Sequence, residues 1–153
     1  MCKLCWTLVA VLTIGVSALA YKFIIAGSTE PGESGRTAIL MDAGEREFVL
    51  AEMRAFLVSV QEITEGIAEN NMTAIAASAK ASGMAATHDA PGTLMGKLPI
   101  GFKKLGRDTH QKFDQLSSEA SEIGDKDLLL KKLGLLMQNC TACHASYEIK
   151  QAN

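Results

Sequence analysis

An all-α fold, an antiparallel four-helix bundle behind an N-terminal signal peptide or membrane anchor, is what three observations on this chain predict. The first is composition. The 153 residues hold only 5% aromatics and 3 prolines, while Ala, Leu, Met, Glu, Lys and Gln abound, a mixture that favours helix over strand. The second is periodicity: of four helical segments, at least two carry apolar residues at alternating steps of four and three, the stripe of a helix packed in a bundle. The third is that the connections are short apart from one longer loop, which makes sequential helices antiparallel neighbours. Charge excludes one class of partner. Lys+Arg 15 against Asp+Glu 17 leaves a formal net charge of -2, with no electrostatic footprint for nucleic acid.

Residues 1–27 stand apart from the domain. Met1-Cys2-Lys3-Leu4 is a short n-region, followed by an uncharged apolar run from Cys5 to Ala20. Ala18-Leu19-Ala20 suits signal-peptide cleavage after Ala20. Phe23-Ile24-Ile25-Ala26-Gly27 resumes the run, and the whole stretch of ~23 residues can cross ~30 Å of hydrocarbon, with Lys22 able to snorkel. A cleaved signal and a retained anchor both stay open, and both place the chain from about Ser28 outside the cytoplasm. Cys2 and Cys5 lie in this leader, followed by Trp6 rather than His, and read as incidental.

Residues 28–42 (STEPGESGRTAILMD) carry Gly, Pro and Ser and read as a linker, which leaves 43–153 for the domain. The first bundle helix is expected from Gly44 to Glu69, with Val49, Met53, Phe56, Val60, Ile63 and Ile67 on its stripe, widened by Leu50 and Leu57. The second is Ala-rich, from the N-cap Asn71 to Thr87. His88 to Pro99, with two prolines and two glycines, is a loop. The third helix runs from Ile100 to Glu122, with Phe102, Leu105, Thr109, Phe113, Leu116 and Ala120 on one side. Asp125 caps the fourth, from Lys126 to Ile149, whose stripe is Leu129, Leu133, Leu136, Cys140, Cys143 and Tyr147.

The last stripe contains the chemistry. Cys140-Thr141-Ala142-Cys143-His144 is a C-x-x-C-H pentapeptide, the attachment signature of haem c. Two thiols add across the two vinyl groups of one porphyrin, and the adjacent His reaches the iron from the same face. Two alternatives are weaker. A structural zinc site needs four ligands, and only His88 and His110 remain beyond His144. A thioredoxin-like pair expects a βαβ setting, whereas these cysteines end a helix. An exported chain also suits covalent haem attachment, an extracytoplasmic process in bacteria.

With its motif near the C-terminus, on the last helix of an all-helical chain, the sequence resembles class II c-type cytochromes, the cytochrome c′ family. Cys140 to Tyr147 carries the likeness, and Pro91-Gly92-Thr93 resembles that family's connection between its second and third helices. The family often places a basic residue four positions after the His, where this chain has Glu148. The residue facing the haem propionates is therefore open between Arg54, Arg46 and Lys150.

The resemblance implies one covalent haem c held by Cys140 and Cys143, with His144 as proximal iron ligand. Low-spin members add a methionine from the first helix. Met53 stands at that register, and the segment Met53 to Ile63 also resembles the first helix of four-helix cytochromes b, whose ligand is that Met. Core packing is the alternative for any Met on a stripe. Met41, Met72, Met84, Met95 and Met137 are less well placed, and His110 reads as exposed or hydrogen-bonded rather than ligating. Lys103, Lys104, Arg107 and Lys112 form a basic cluster, by default a solvated face and otherwise a docking patch for an acidic partner. No nucleophile–base constellation or phosphate loop appears. The expectation is a non-enzymatic one-electron carrier of the bacterial periplasm with His/Met ligation, serving redox partner proteins, tethered to the membrane if the leader is kept, and a homodimer as family members often are. A five-coordinate NO- or CO-binding cytochrome c′, or a membrane-tethered haem subunit of a larger redox complex, are the alternatives.

Overall fold

The structure is a computed structural model that describes residues 3–152; Met1, Cys2 and Asn153 lie outside it, and with Cys2 the first half of the leader's cysteine pair. Helix accounts for 79% of it, so the all-α class holds although three short strands are present. Helix α1 (Lys3–Ala20) continues without a break into a π-helical segment, Tyr21–Ala26. Strands β1 (Thr29–Pro31) and β2 (Thr37–Met41) follow, then α2 (Ala43–Glu69), α3 (Met72–Ala81), a 3-10 segment at Met84–Asp89, the short α4 (Leu94–Lys97), α5 (Ile100–Glu122), α6 (Lys126–Ser146) and β3 (Tyr147–Gln151).

Local chemistry sets the ends of the long helices. The Asp42 N–H donates to Glu45 Oε2 at 2.9 Å, a capping box at the start of α2. Asn70, in the left-handed region at φ 57°, ends that helix. The Asn71 side chain accepts from the Ala74 N–H, and Asp125 accepts from the N–H groups of Asp127 and Leu128. Helix α2 packs on α3, α3 on α5 and α5 on α6, while α2 and α6 touch over a shorter stretch.

Three expected boundaries differ. The stretch 28–42 is not a linker but a hairpin with Ala38, Ile39 and Met41 fully buried. The second helix stops at Ala81 rather than Thr87, because Ser82 and Gly83 turn the chain into the 3-10 segment. The last helix ends at Ser146, and residues 147–151 leave it to pair in parallel with β2, Thr37 opposite Tyr147 and Met41 opposite Gln151. The strand wins because β2 offers an unpaired edge and because the Tyr147 ring finds Phe102 edge-on at 5.5 Å. Glu148 locks the junction. It accepts from the Glu33 N–H at 3.1 Å and pairs with Arg36 at 2.9 Å.

Two separate cores result. The turn-end core joins Ile63, Ile75, Phe113, Leu116, Leu129, Leu133 and Leu136. The sheet-end core joins Ile39, Met41, Val49, Leu94 and Leu98. Each large side chain so buried contributes about 1.5–3 kcal/mol of apolar transfer.

Candidate functional site

Between the two cores lies a cleft of about 540 Å³, walled by α2, α5 and α6. Its size falls in the ordinary range of small-molecule sites, about 300–1,000 Å³. Met53, Phe56, Leu57 and Val60 line it from α2, Phe102, Leu105 and His110 from α5, and Cys140, Cys143 and His144 from α6. The α2 stripe is continuous in sequence, yet its middle is only partly covered by protein: Val49 and Ile63 are buried, Met53, Phe56 and Val60 are half-buried, and Leu57 beside them is 70% exposed. An apolar helix face left open inside a cleft is a surface shaped for an apolar ligand.

The four residues singled out from the sequence meet here. Met53 lies 16 residues before the end of α2, and His144 lies 18 residues after the start of α6. At 1.5 Å per residue these are ~24 and ~27 Å from the same end of two oppositely running helices, so both face the cleft at similar height. Cys140 also packs against the turn-end core and Met53 against the sheet-end core. Both motif thiols are free. Burial pushes Cys143 up to about 11, with Cys140 beside it adding to the shift, and burial raises Cys140 too. Redox-active C-x-x-C cysteines show the opposite shift. Among the described residues no three His, Cys, Asp or Glu side chains converge as a metal-holding group.

The propionate candidates separate. Arg54 lines the cleft and pairs with Glu47 at 2.5 Å. Arg46 and Lys150 face a different depression, and Lys150 pairs with Glu148 at 3.3 Å. The basic cluster of α5 is partly engaged: Lys103 binds backbone carbonyls of Phe23 and Ile24, and Lys112 pairs with Asp108.

On the polar side of the wall His110 is hydrogen-bonded, one of its two expected states, while Glu52 and Asn139 escaped sequence reasoning. His110 is buried, its Nδ1 is 2.9 Å from the Ser82 carbonyl and its Nε2 is 3.4 Å from Glu52 Oε1. A carbonyl only accepts, so Nδ1 carries the proton and Nε2 faces the carboxylate. Burial pulls the imidazole pKa down, but the Glu52 carboxylate and the Ser82 carbonyl outweigh it, and the net shift is upward. The Asn139 amide donates to Asp108 at 2.7 Å and to Thr109 Oγ1 at 3.2 Å, tying α6 to α5 one residue before Cys140. Its signal was a lone Asn amid the leucines of α6. Glu52 had no such signal, because a charged residue beside a stripe is ordinarily solvated.

Comparison with protein-family models, curated proteins and solved structures found no match.

Proposed function

We propose that this chain is a c-type cytochrome of the cytochrome c′ type, an exported one-electron carrier on a four-helix bundle formed by α2, α3, α5 and α6. The observation that carries the reading is the convergence of C-x-x-C-H and Met53 on one open apolar cleft. A flat apolar macrocycle fits that opening, with two thiols on one wall and a thioether on the other.

Haem c, when bound, supplies a one-electron Fe(III)/Fe(II) couple. Cys140 and Cys143 would hold the haem covalently through thioethers, and His144 and Met53 would supply the imidazole and thioether donors to its iron. Each comes from a long helix anchored in a packed core, so the protein keeps both ligands in place whichever charge the site carries. Phe56, Leu57 and Leu105 would pack on the bound ring and exclude water from it. A Met thioether, softer than a second imidazole, favours the ferrous state and raises the potential. Arg54 at the cleft adds a cation for the propionates.

The test is maturation of the chain in a host competent for haem c attachment. Acid-acetone should leave the haem on the polypeptide, and the ferric protein should show the weak far-red band of Met–iron ligation, lost in Met53→Ala. Release of free haem sinks the cytochrome reading. A native protein that is already high-spin and binds CO at once replaces the electron carrier with the gas-binding module.

A further inference from the structure

Helix α1 and the π-helical segment form one rod, Lys3–Ala26, with none of its window buried in the protein. Its 24 residues span ~36 Å at 1.5 Å per residue, more than the ~30 Å of bilayer hydrocarbon. No charged residue lies between Lys3 and Lys22, and Trp6 and Tyr21 flank the run as interfacial aromatics do. The exposure does not stop at the Ala18-Leu19-Ala20 site. Phe23, Ile24 and Ile25 beyond it are 54%, 54% and 43% exposed, so cleavage there would leave three large apolar side chains facing water. Ala20 itself is helical, at φ -58° and ψ -45°.

The foot of the rod is built into the domain. Lys103 Nζ donates to the carbonyls of Phe23 at 3.0 Å and Ile24 at 3.3 Å, groups that a helix end leaves without partners. The Ser28 N–H donates to the Lys97 carbonyl at 2.7 Å. Gly27, at φ +69°, lies so close to the Lys97–Pro99 backbone that no side chain fits, and the Phe23 ring rests on Gly96. This contact also sets direction. Lys103 follows Phe102, whose ring meets Tyr147, three residues past His144, so the foot stands at the Cys143–His144 end of the cleft.

We propose that Lys3–Ala26 is retained as a single bilayer-spanning anchor and that its foot holds the His144 end of the cleft at the membrane surface. The occupant of the exposed rod is lipid. Only the consequence for electron transfer, exchange with membrane-resident partners rather than by free diffusion, rests on the cytochrome reading. The experiment uses the full chain expressed in a bacterial host. It should stay in the membrane fraction after alkaline carbonate, and its mass should include the peptide carrying Trp6, the sole Trp. A mature chain beginning at Tyr21, or a protein released by carbonate, overturns the anchor. Orientation is read separately with a photo-crosslinking residue at one of two exposed lysines. At Lys104, beside the foot, it should label lipid; at Lys131, ~20 Å from His144 along α6, it should not. Equal labelling, or labelling at Lys131 alone, overturns the placement. None of these readouts depends on haem content, so their failure is distinct from failure of the cytochrome reading.

Discussion

The two cores share α2 and differ in what seals them. At the turn end, α2, α3, α5 and α6 bring aliphatic and aromatic side chains together with no accessible surface left on Ile63, Phe113, Leu116 or Leu129. At the sheet end the seal is the β2–β3 ladder and a charge cluster. Lys97 donates to Asp42 at 2.8 Å and to the buried Glu45 at 2.7 Å, and the Thr93 hydroxyl donates to Glu45 at 2.6 Å. Burial alone would raise the Glu45 carboxyl pKa, but Lys97, Thr93 and the Asp42 N–H together hold it below the ordinary range. Between these seals the same helix face is only half covered. The cleft exists because the stripe of α2 is longer than the protein available to cover it.

The largest expected effect tests that contrast directly. Phe113→Ala should cost about 3–5 kcal/mol in urea unfolding, because the ring is fully enclosed. Met53→Ala in the haem-free chain should cost under about 1 kcal/mol, since its side chain is only half-buried and the cleft beside it is already open. Comparable losses at the two sites would show that the middle of the stripe is as tightly packed as its end.

If the chain carries the proposed haem, removing it should have the next largest effect, and a local one. Without haem, amide exchange should quicken along the cleft walls, in α2 around Met53–Val60 and in α6 around Met137–His144. The buried centre of the turn-end core, around Phe113, Leu116 and Leu129, should stay protected, because only its partly buried fringe of Phe56, Val60 and Cys140 reaches the cleft. Uniform acceleration would mean that one cooperative core, not two, holds the domain.

The smallest effect concerns pH. His110 has a raised folded-state pKa, so its contribution to stability is fully present below its unfolded value, about 6.5. That contribution fades as pH rises through the folded value. Glu52→Gln removes the partner that raises it, so the variant should lose less melting temperature than the native chain between about pH 6 and pH 8. Identical pH profiles would show that Glu52 does not support the charged imidazole.

Legibility in the sequence followed how local the cause was. Helix α5 has its expected bounds, Ile100 to Glu122, and α2 begins one residue before its expected start, because caps and a 3.6-residue stripe act within a few turns. The hairpin at 29–41 was hidden. Gly, Pro and Ser there look like a linker, and the partner that makes β2 a central strand, β3, lies more than 100 residues away in sequence. Tyr147 misled in the opposite direction, continuing the α6 stripe by spacing while its backbone pairs with Thr37. Strand pairing is non-local, and no periodicity within one segment reports it.

The sequence by itself determined the helical class and the Cys140–His144 pentapeptide, since each depends on residues within a few turns of one another. Only the tertiary structure decided that these side chains share one cleft, that His110 and Glu52 stand in its wall, and that the apolar N-terminal helix is seated on the domain by Gly27 and Lys103 rather than joined through a loose linker. Those depend on packing between distant segments. Close approach there is settled by which backbone edges and apolar faces remain unpaired after the local structure has formed.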